Sequence, residues 1–122
     1  MDIQFLFWLF TKHFIVDFPL QGPFQYLNKG TYGHPGGILH AALHGIATFA
    51  IGWNFYGFVP GLVVGAIDAV VHYHIDWAKM NINKFFKLQP NTSEQFWWLL
   101  GFDQYLHAIT YFALVGWANK LV

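Results

Sequence analysis

Four long apolar segments dominate this chain of 122 residues. They lie at about residues 3–19, 38–57, 59–80 and 93–119, and each approaches the roughly 20 residues that a helix needs to cross a bilayer. Only 10% of the residues are charged and 56% are hydrophobic, whereas about a quarter of the residues of a soluble domain are charged. The sequence therefore predicts an all-α fold, a four-transmembrane-helix bundle that forms a single domain over residues 1–122.

The lysines predict how this bundle lies in the membrane. Positively charged residues that flank membrane helices tend to stay in the cytoplasm. Lys29, Lys79, Lys84 and Lys87 fall in or beside the first and third loops, whereas Lys120 lies with the termini. We therefore expect a multi-pass membrane protein with both termini on the outer side of the membrane.

Two local patterns refine the predicted helices. Gly61, Gly65 and Ala69 recur every fourth residue, and such a stripe of small residues lets another helix approach closely. Thr92, followed three residues later by Gln95, fits a capping box at the start of the fourth helix.

Histidine and aspartate recur at a spacing of four residues, which places two side chains on one face of a helix. Chance would give roughly one such pair, but five occur: His13 with Asp17, His40 with His44, Asp68 with His72, His72 with Asp76, and Asp103 with His107. Every predicted helix carries at least one. At 1.5 Å per residue, all of them fall within about 18 Å of the cytoplasmic surface, so we expect them to meet at one depth.

The cost of these groups in a membrane indicates a bound metal. Each ionised aspartate or lysine at the centre of a membrane helix costs about 2.5–3.5 kcal/mol. A hydrogen bond in a bundle returns only about 0.6–2 kcal/mol, whereas bound zinc returns about 10–16 kcal/mol.

The residue types indicate which metal. The chain has no cysteine, and imidazoles with carboxylates suit zinc, iron or manganese. We expect one or two divalent ions, with zinc first and iron or manganese as alternatives; for any single pair, a simple hydrogen bond is an equal alternative. The predicted ligands are His13, Asp17, His40, His44, His72, Asp76, Asp103 and His107.

Other polar residues receive roles around this site. Asp103 and Asp17 are the predicted catalytic carboxylates, with Asp103 as the proton shuttle. Asp68 lies one turn from His72 and is expected to orient that ring through a hydrogen bond. The residues expected to hold the polar head of a substrate are Gln21, Gln104 and Lys79, with a membrane anchor as the alternative role for Lys79.

Three residues are expected to lie apart from the cluster. Lys12 should extend its ammonium to the membrane surface, as long cationic side chains do near helix ends. His34 lies in a glycine-rich loop and should be solvated. His74 is two residues from His72 and should point to another face.

The motifs that hold these residues resemble those of a known family. They are His13-Phe-Ile-Val-Asp17-Phe-Pro-Leu-Gln21, His40 to His44, His72-Tyr-His-Ile-Asp76-Trp-Ala-Lys79 and Asp103-Gln104-Tyr-Leu-His107. Over nearly its whole length, the chain resembles small integral membrane proteins of bacteria and their phages whose function is unknown. This resemblance implies a multi-pass protein of the bacterial inner membrane, whose outer side is periplasmic. The pattern is also similar to that of inner-membrane proteins described as metal-dependent hydrolases, and this similarity implies a hydrolase.

The leading hypothesis is a metal-dependent hydrolase that acts on an amphiphilic small molecule near the cytoplasmic face. A proton or metal-ion transporter is the first alternative, because buried ionisable residues also line ion paths. A protein whose metal only staples the bundle is the second, and an oxidative di-iron enzyme is a variant of the first hypothesis. Membrane lipids are the expected partners, a homo-oligomer is left open, and the balance of six basic and six acidic residues argues against nucleic acid.

Overall fold

The apolar segments of the sequence fold as helices, as their length and composition predict. A computed structural model describes residues 2–121, and this part of the chain forms five helices and no strand. The helices are α1 (Ile3–Asp17), α2 (Pro23–Tyr26), α3 (Pro35–Tyr56), α4 (Phe58–Phe85) and α5 (Glu94–Ala118). The all-α class is confirmed, and the four predicted segments correspond to α1, α3, α4 and α5.

Helix α1 is shorter than predicted. It begins after Asp2, whose carboxylate accepts a hydrogen bond from the backbone N–H of Phe5 at 3.0 Å, as an N-cap residue does. It ends at Asp17 because Phe18 precedes Pro19, and a residue before proline disfavours the helical conformation. Its 15 residues extend about 22 Å, which is less than the roughly 30 Å of a bilayer core.

The region between the first two apolar segments, residues 21–37, is partly helical. Pro23 opens α2 and Pro35 opens α3, both in the first turn, where the missing N–H of proline costs nothing. Nδ1 of His34 caps α3 by accepting the N–H of Gly36 at 3.0 Å. His34 was expected to be solvated; its ring is half-buried and also caps the helix.

Helix α4 runs to Phe85, about five residues beyond the predicted end. The polar stretch after residue 80 contains no proline or glycine before Pro90, so the helix continues until Lys87 adopts a positive φ of 55°. The loop between α4 and α5 is therefore shorter than the sequence indicated.

The predicted capping box at the start of α5 is wrong. Ser93, and not Thr92, is the N-cap residue, and its side chain does not bond to the first turn. The hydroxyl oxygen of Ser93 instead accepts the N–H of Gln89 at 3.2 Å. The hydroxyl therefore closes the loop before α5 and leaves the first turn uncapped by a side chain.

Helices α3 and α4 form a tight hairpin. Gly57 links them with a φ of 99°, a conformation that favours glycine. A Cβ atom on Gly65 would lie 2.7 Å from the carbonyl oxygen of Gly45 and 3.0 Å from the backbone nitrogen of Phe49. The backbones therefore touch at this point, and the predicted close approach along the small-residue stripe is confirmed.

The interior of the bundle is polar at one end and apolar at the other. Phe5, Leu9, Val64, Tyr111 and Leu114 pack together at the apolar end. Among residues 2–121, thirteen polar or charged side chains are buried, against nine hydrophobic ones. Most large hydrophobic side chains instead face outward, which is the reverse of the distribution expected in a water-soluble domain.

Two helices, α3 and α4, are long and apolar enough to cross a membrane. This agrees in part with the predicted multi-pass topology. The crossing of the bilayer by α1 and α5, and the side on which the termini lie, stay predictions.

Candidate metal centre

The polar end of the bundle collects side chains from α1, α3, α4 and α5. All eight predicted ligands are buried there, and we call this set the histidine–aspartate cluster: His13, Asp17, His40, His44, His72, Asp76, Asp103 and His107. Each pair lies on one helical face, so packing four helices around a common axis turns the pairs toward one another. The expected convergence is therefore present, while the role of each residue as a ligand stays a prediction.

Asp17, at the end of α1, is the first of two carboxylates that organise the cluster. Its Oδ1 lies 2.8 Å from Nε2 of His44, 3.0 Å from Nε2 of His40 and 3.6 Å from Nε2 of His72. Its Oδ2 lies 3.1 Å from Nε2 of His13. Four imidazoles from three helices thus present the same nitrogen to one carboxylate.

Asp76, on α4, is the second. Its Oδ2 lies 3.1 Å from Nε2 of His72 and 3.3 Å from Nε2 of His40, while its Oδ1 lies 3.2 Å from Nε2 of His107. The ring of His72 is stacked between those of His44 and His107, with centroids 3.6 and 4.0 Å apart. His72 therefore sits at the middle of the cluster and faces both carboxylates.

Two overlapping sets of side chains could each hold a metal ion. One is Asp17, His40, His44 and His72, and the other is His72, Asp76 and His107; the ligand atoms of each set lie within 4.8 Å of one another. Nε2 of His40 and Nε2 of His72 are 3.3 Å apart. A tetrahedral ion with bonds of about 2.0–2.1 Å holds its ligand atoms roughly 3.3 Å apart, so this spacing suits a divalent cation.

Two predicted ligands fall outside both sets. His13 lies between other partners: Nδ1 is 2.6 Å from the hydroxyl of Tyr111, and Nε2 is 2.8 Å from Oε1 of Gln104. Asp103 meets His107, with Oδ1 3.3 Å from Nε2 of that ring. Both residues thus contact the cluster from its edge.

The predicted substrate-binding residues lie around this edge. Lys79 approaches Oδ2 of Asp103 at 3.4 Å, and the amide nitrogen of Gln104 donates to the same oxygen at 3.0 Å. Gln21 donates to the backbone oxygen of Asp17 at 2.5 Å. All three therefore border the cluster, but their contacts are with the protein itself.

Lys12 and Asp68 differ from their predicted roles. Lys12 does not reach the membrane surface: it is only 5% exposed, and Nζ lies 2.6 Å from Oδ2 of Asp68 and 2.8 Å from Nδ1 of His44. The ion pair draws the ammonium inward. Oδ2 of Asp68 also accepts the hydroxyl of Thr48 at 2.5 Å, and no hydrogen bond joins Asp68 to His72 in residues 2–121.

His74 is separate from the cluster, as its spacing predicts. Its side chain is exposed, and Nε2 lies 2.9 Å from the hydroxyl of Tyr32. Nδ1 donates to the carbonyl oxygen of Val70 at 2.7 Å.

Sequence reasoning missed two residues that support the cluster. Lys29, assigned only to topology, is buried and reaches Oδ2 of Asp76 at 3.4 Å and Oε1 of Gln21 at 2.9 Å. Gln25, to which no role was given, accepts from Nδ1 of His40 at 3.0 Å. Gln21, Gln25 and Lys29 recur every fourth residue, and this spacing could have indicated a polar face directed at the site.

The buried charges leave one carboxylate without a cation. Lysines pair with three of the four buried aspartates: Lys12 with Asp68, Lys29 with Asp76, and Lys79 with Asp103. Asp17 has no lysine partner in the described part of the chain and meets only imidazoles. A buried carboxylate requires a compensating charge, so either an imidazolium or a bound cation must lie against Asp17.

An apolar groove between α4 and α5 leads to the edge of the cluster. Its volume is about 500 Å³, and its walls include Val71, Ile75, Leu99 and Leu106. Lys79 and Asp103 also line it and are its charged members.

The fold and the site define a class: a small helical protein, with two helices suited to a membrane, that buries a histidine–aspartate cluster able to hold metal. Residues 5–121 match the family described as Protein of unknown function (DUF3307), and the chain belongs to that family. Neither a search of curated proteins nor a search of solved structures finds a match. The expected resemblance to a family of unknown function is confirmed, and the link to membrane hydrolases stays a prediction.

Proposed function

We propose that this protein is a membrane-embedded, metal-dependent hydrolase that acts on an amphiphilic substrate near the cytoplasmic face. The convergence of Nε2 atoms from His40 and His72 on the unpaired carboxylate of Asp17 supports a cation most directly. A divalent ion would supply the positive charge that no lysine brings to this carboxylate within residues 2–121. Imidazoles and carboxylates without thiolates fit zinc, with iron or manganese as alternatives.

The distribution of side chains supports a bundle of four membrane helices. A polar interior beneath an apolar surface suits lipid, because only the interior can then satisfy polar groups. Phe7, Phe14 and Trp98 are each at least 60% exposed, on helices other than the two that meet the length and composition required to cross a membrane. With its 15 residues, α1 would reach only part of the way across a bilayer core unless the bilayer thins around it.

The orientation we propose keeps the cluster near the cytoplasm. Lys29 and Lys79 contact buried aspartates, so they count less as free loop charges than the sequence suggested. Lys84 and Lys87 remain exposed beside the α4–α5 loop, against Lys120 at the opposite end. The positive charges therefore still favour a cytoplasmic loop and periplasmic termini.

Groups at the edge of the cluster are suited to move a proton. A bound divalent ion would lower the pKa of water at the site and polarise the scissile group. Nε2 of His107 lies between Oδ1 of Asp76 and Oδ1 of Asp103, so the ring can pass a proton to Asp103. Oδ1 of Asp103 is buried and makes no hydrogen bond within residues 2–121, which leaves it free to accept that proton.

The groove between α4 and α5 supports an amphiphilic substrate. Its apolar walls suit an alkyl chain, and Lys79 at its charged edge can attract an anionic headgroup. The contact of Lys79 with Asp103 is long, at 3.4 Å, so a stronger anion can compete for the ammonium. A chain in the groove would bring the head of the substrate to Asp103 and His107.

Transport fits these observations less well. A path for protons or ions needs polar groups through the whole membrane, but the other end of the bundle is filled by Phe5, Leu9, Val64 and Leu114. A metal that only staples the bundle would leave the groove without a role. The experiment below distinguishes such a protein from a hydrolase.

The test begins with the metal content of the detergent-purified full chain. We expect at least one zinc ion per chain after incubation with Zn²⁺, and loss of that ion in the double variant His40→Ala, His44→Ala. Metal-loaded protein should then hydrolyse an acyl ester or a phosphoester with a long alkyl chain, and Asp103→Asn should slow it by about 100-fold or more. Absence of a stoichiometric ion, or of any hydrolysis with zinc, iron or manganese, would overturn the proposal.

A further inference from the structure

The five imidazoles of the cluster differ in what lies behind them. A metal ligand must present an unprotonated Nε2, so its proton must be on Nδ1. A neighbour that accepts from Nδ1 therefore prepares a ring to ligate, whereas a neighbour that donates to Nδ1 forces the proton onto Nε2. Where Nδ1 has a hydrogen-bond partner, that partner thus indicates the role of the ring.

His40 has an acceptor behind it. The amide nitrogen of Gln25 donates to the backbone oxygen of Leu20 at 2.9 Å, which fixes the orientation of the amide. Oε1 of Gln25 must then face Nδ1 of His40, at 3.0 Å, and accept its proton. Nε2 of His40 is left with a lone pair directed at Asp17, as a ligand requires.

His44, one turn further along α3, has a donor behind it. Nζ of Lys12 lies 2.8 Å from Nδ1 of His44. The same ammonium lies 2.6 Å from Oδ2 of Asp68 and 4.7 Å from the ring centroid of Tyr111, and both neighbours stabilise its positive charge. An ammonium has only donors, so Nδ1 of His44 accepts, and Nε2 carries the proton and donates to Oδ1 of Asp17 at 2.8 Å.

We propose that His44 is not a metal ligand, and that Lys12 holds it in the tautomer that donates to Asp17. The ion of the proposed hydrolase, on which this inference rests, is then bound by Asp17, His40 and His72. Nδ1 of His72 is buried and makes no hydrogen bond within residues 2–121, so no donor there forces a proton onto Nε2. The separations of their ligand atoms, 3.0, 3.3 and 3.6 Å, suit three corners of a coordination tetrahedron.

His13 follows the same rule as His44. The amide nitrogen of Gln104 donates to Oδ2 of Asp103 at 3.0 Å, so Oε1 of Gln104 faces Nε2 of His13 at 2.8 Å and accepts from it. Nε2 of His13 therefore carries a proton and lies 3.1 Å from Oδ2 of Asp17. Protonated Nε2 atoms of His44 and His13 thus lie next to Oδ1 and Oδ2 of Asp17, respectively.

The number of protein ligands distinguishes a catalytic metal site from a structural one. Structural zinc sites are closed by four protein ligands, whereas catalytic sites keep three and leave one position for water or substrate. With His44 as a fourth ligand the site would be closed. The Lys12–His44 hydrogen bond prevents His44 from closing it. Oδ2 of Asp76, 3.1 Å from Nε2 of His72, is the other candidate for the fourth position, and it contacts the ammonium of Lys29 at 3.4 Å instead. An open position favours the hydrolase over a structural staple.

Zinc binding to matched variants of α3 tests the proposal. His40→Gln and His44→Gln replace two buried rings one turn apart. We expect His40→Gln to abolish stoichiometric zinc binding, and His44→Gln to retain one ion with an affinity about 10–100-fold lower, as residues that orient a ligand do. X-ray absorption of the zinc form of the wild type should count two imidazoles. Equal loss of zinc in both variants, or three imidazoles, would overturn the proposal.

Lys12 is tested through its effect on coordination. The double variant Lys12→Met, Asp68→Asn removes both charges of the ion pair, so that no buried charge is left alone. His44 can then adopt the other tautomer, and we expect a third imidazole at the zinc ion. An unchanged count of two would contradict the positioning role of Lys12.

A measurement without metal separates this inference from the proposed function. In the metal-free wild type, nitrogen-15 chemical shifts of His44 should report a proton on Nε2 and none on Nδ1. A proton on Nδ1 would overturn the inference even if the protein proved to be a zinc hydrolase. Failure of the wild type to bind zinc, iron or manganese would overturn the proposed function and the ligand assignment, and would leave the tautomer of His44 decided by the spectrum.

Discussion

Nζ of Lys12 on α1 lies 2.6 Å from Oδ2 of Asp68 on α4, and both side chains are almost completely buried. The two residues are 56 positions apart in the sequence, and their ion pair connects α1 with α4. It also supplies the hydrogen bond to Nδ1 of His44. One ion pair therefore joins the packing of the bundle to the arrangement of the candidate metal centre.

Removing one member of this pair should be more harmful than removing both. Lys12→Met leaves Asp68 as an uncompensated buried charge, which costs about 3–5 kcal/mol of unfolding free energy. The double variant Lys12→Met, Asp68→Asn should recover most of that loss. Denaturant unfolding in detergent measures both, with Lys84→Met as the exposed control. Equal destabilisation of the single and double variants would contradict the ion pair.

Gln25 should control the affinity of the metal site without being a ligand. Gln25→Met removes the acceptor for Nδ1 of His40, and loss of such a partner lowers metal affinity by about 10–100-fold. Competition with a zinc chelator measures the affinity. Gln89→Met, at an exposed position of the α4–α5 loop, should leave it unchanged. The same affinity in both variants would exclude this role.

Filling the α4–α5 groove should reduce activity toward long-chain substrates. Ala78 lines this groove, and Ala78→Phe should lower kcat/KM for a long-chain ester at least about tenfold, or ~1.4 kcal/mol, with unchanged zinc content. Ala42→Phe is the matched control, since Ala42 lines a different cavity against Tyr73 and His74. An equal fall in both variants, or none in Ala78→Phe, would argue against the groove as the binding site.

Two glycine-to-alanine substitutions should have opposite signs. In Gly65→Ala the new Cβ would lie 2.7 Å from the backbone oxygen of Gly45, so the helices must separate, at a cost of roughly 1–3 kcal/mol. In Gly101→Ala the Cβ meets nothing within 4 Å, and the gain in helix propensity should stabilise α5 by about 0.5–1 kcal/mol. Thermal unfolding in detergent measures both. A neutral Gly65→Ala would contradict the close contact of α3 and α4.

The N-terminus of α1 should lose stability in acid. The hydrogen bond from the N–H of Phe5 lowers the pKa of the Asp2 carboxyl below its ordinary value of 3.8, with a further contribution from the hydroxyl of Tyr56. A lowered pKa means that Asp2 stabilises the fold above pH 3.8 and that this contribution disappears as the pH falls through the lowered value. Unfolding midpoints of the wild type and Asp2→Asn should therefore converge in acid. A constant difference between them across the pH range would contradict the shift.

The candidate site could be predicted from the sequence only in part. The spacing of four indicated that His13 and Asp17, or Asp103 and His107, share a helix face, because that relation is local. It could not indicate that Lys12 lies inward, since hydropathy treats a lysine near a helix end as a surface residue. The partner that draws it inward, Asp68, comes from another helix.

The ends of the helices could also be predicted only where nearby residues determine them. Pro19 limited α1, and Pro35 marked the start of α3, because proline acts on its immediate neighbours. The capping box at Thr92 failed because α5 begins at Glu94, which makes Ser93 the N-cap residue. The hydroxyl oxygen of Ser93 accepts the N–H of Gln89 and not one from the first turn. A local motif was thus displaced by a competing contact that the pattern of residues does not reveal.

By itself, the sequence determined that the chain is helical and that each long helix turns imidazole or carboxylate groups to one face, since both properties depend on residues within a few positions of one another. Only the tertiary structure decided what lies behind each ring. His40 and His44 are one turn apart and alike in sequence terms, yet one meets the amide oxygen of Gln25 and the other the ammonium of Lys12. Those partners come from α2 and α1, and the side from which a hydrogen bond reaches an imidazole fixes which nitrogen is free to bind metal.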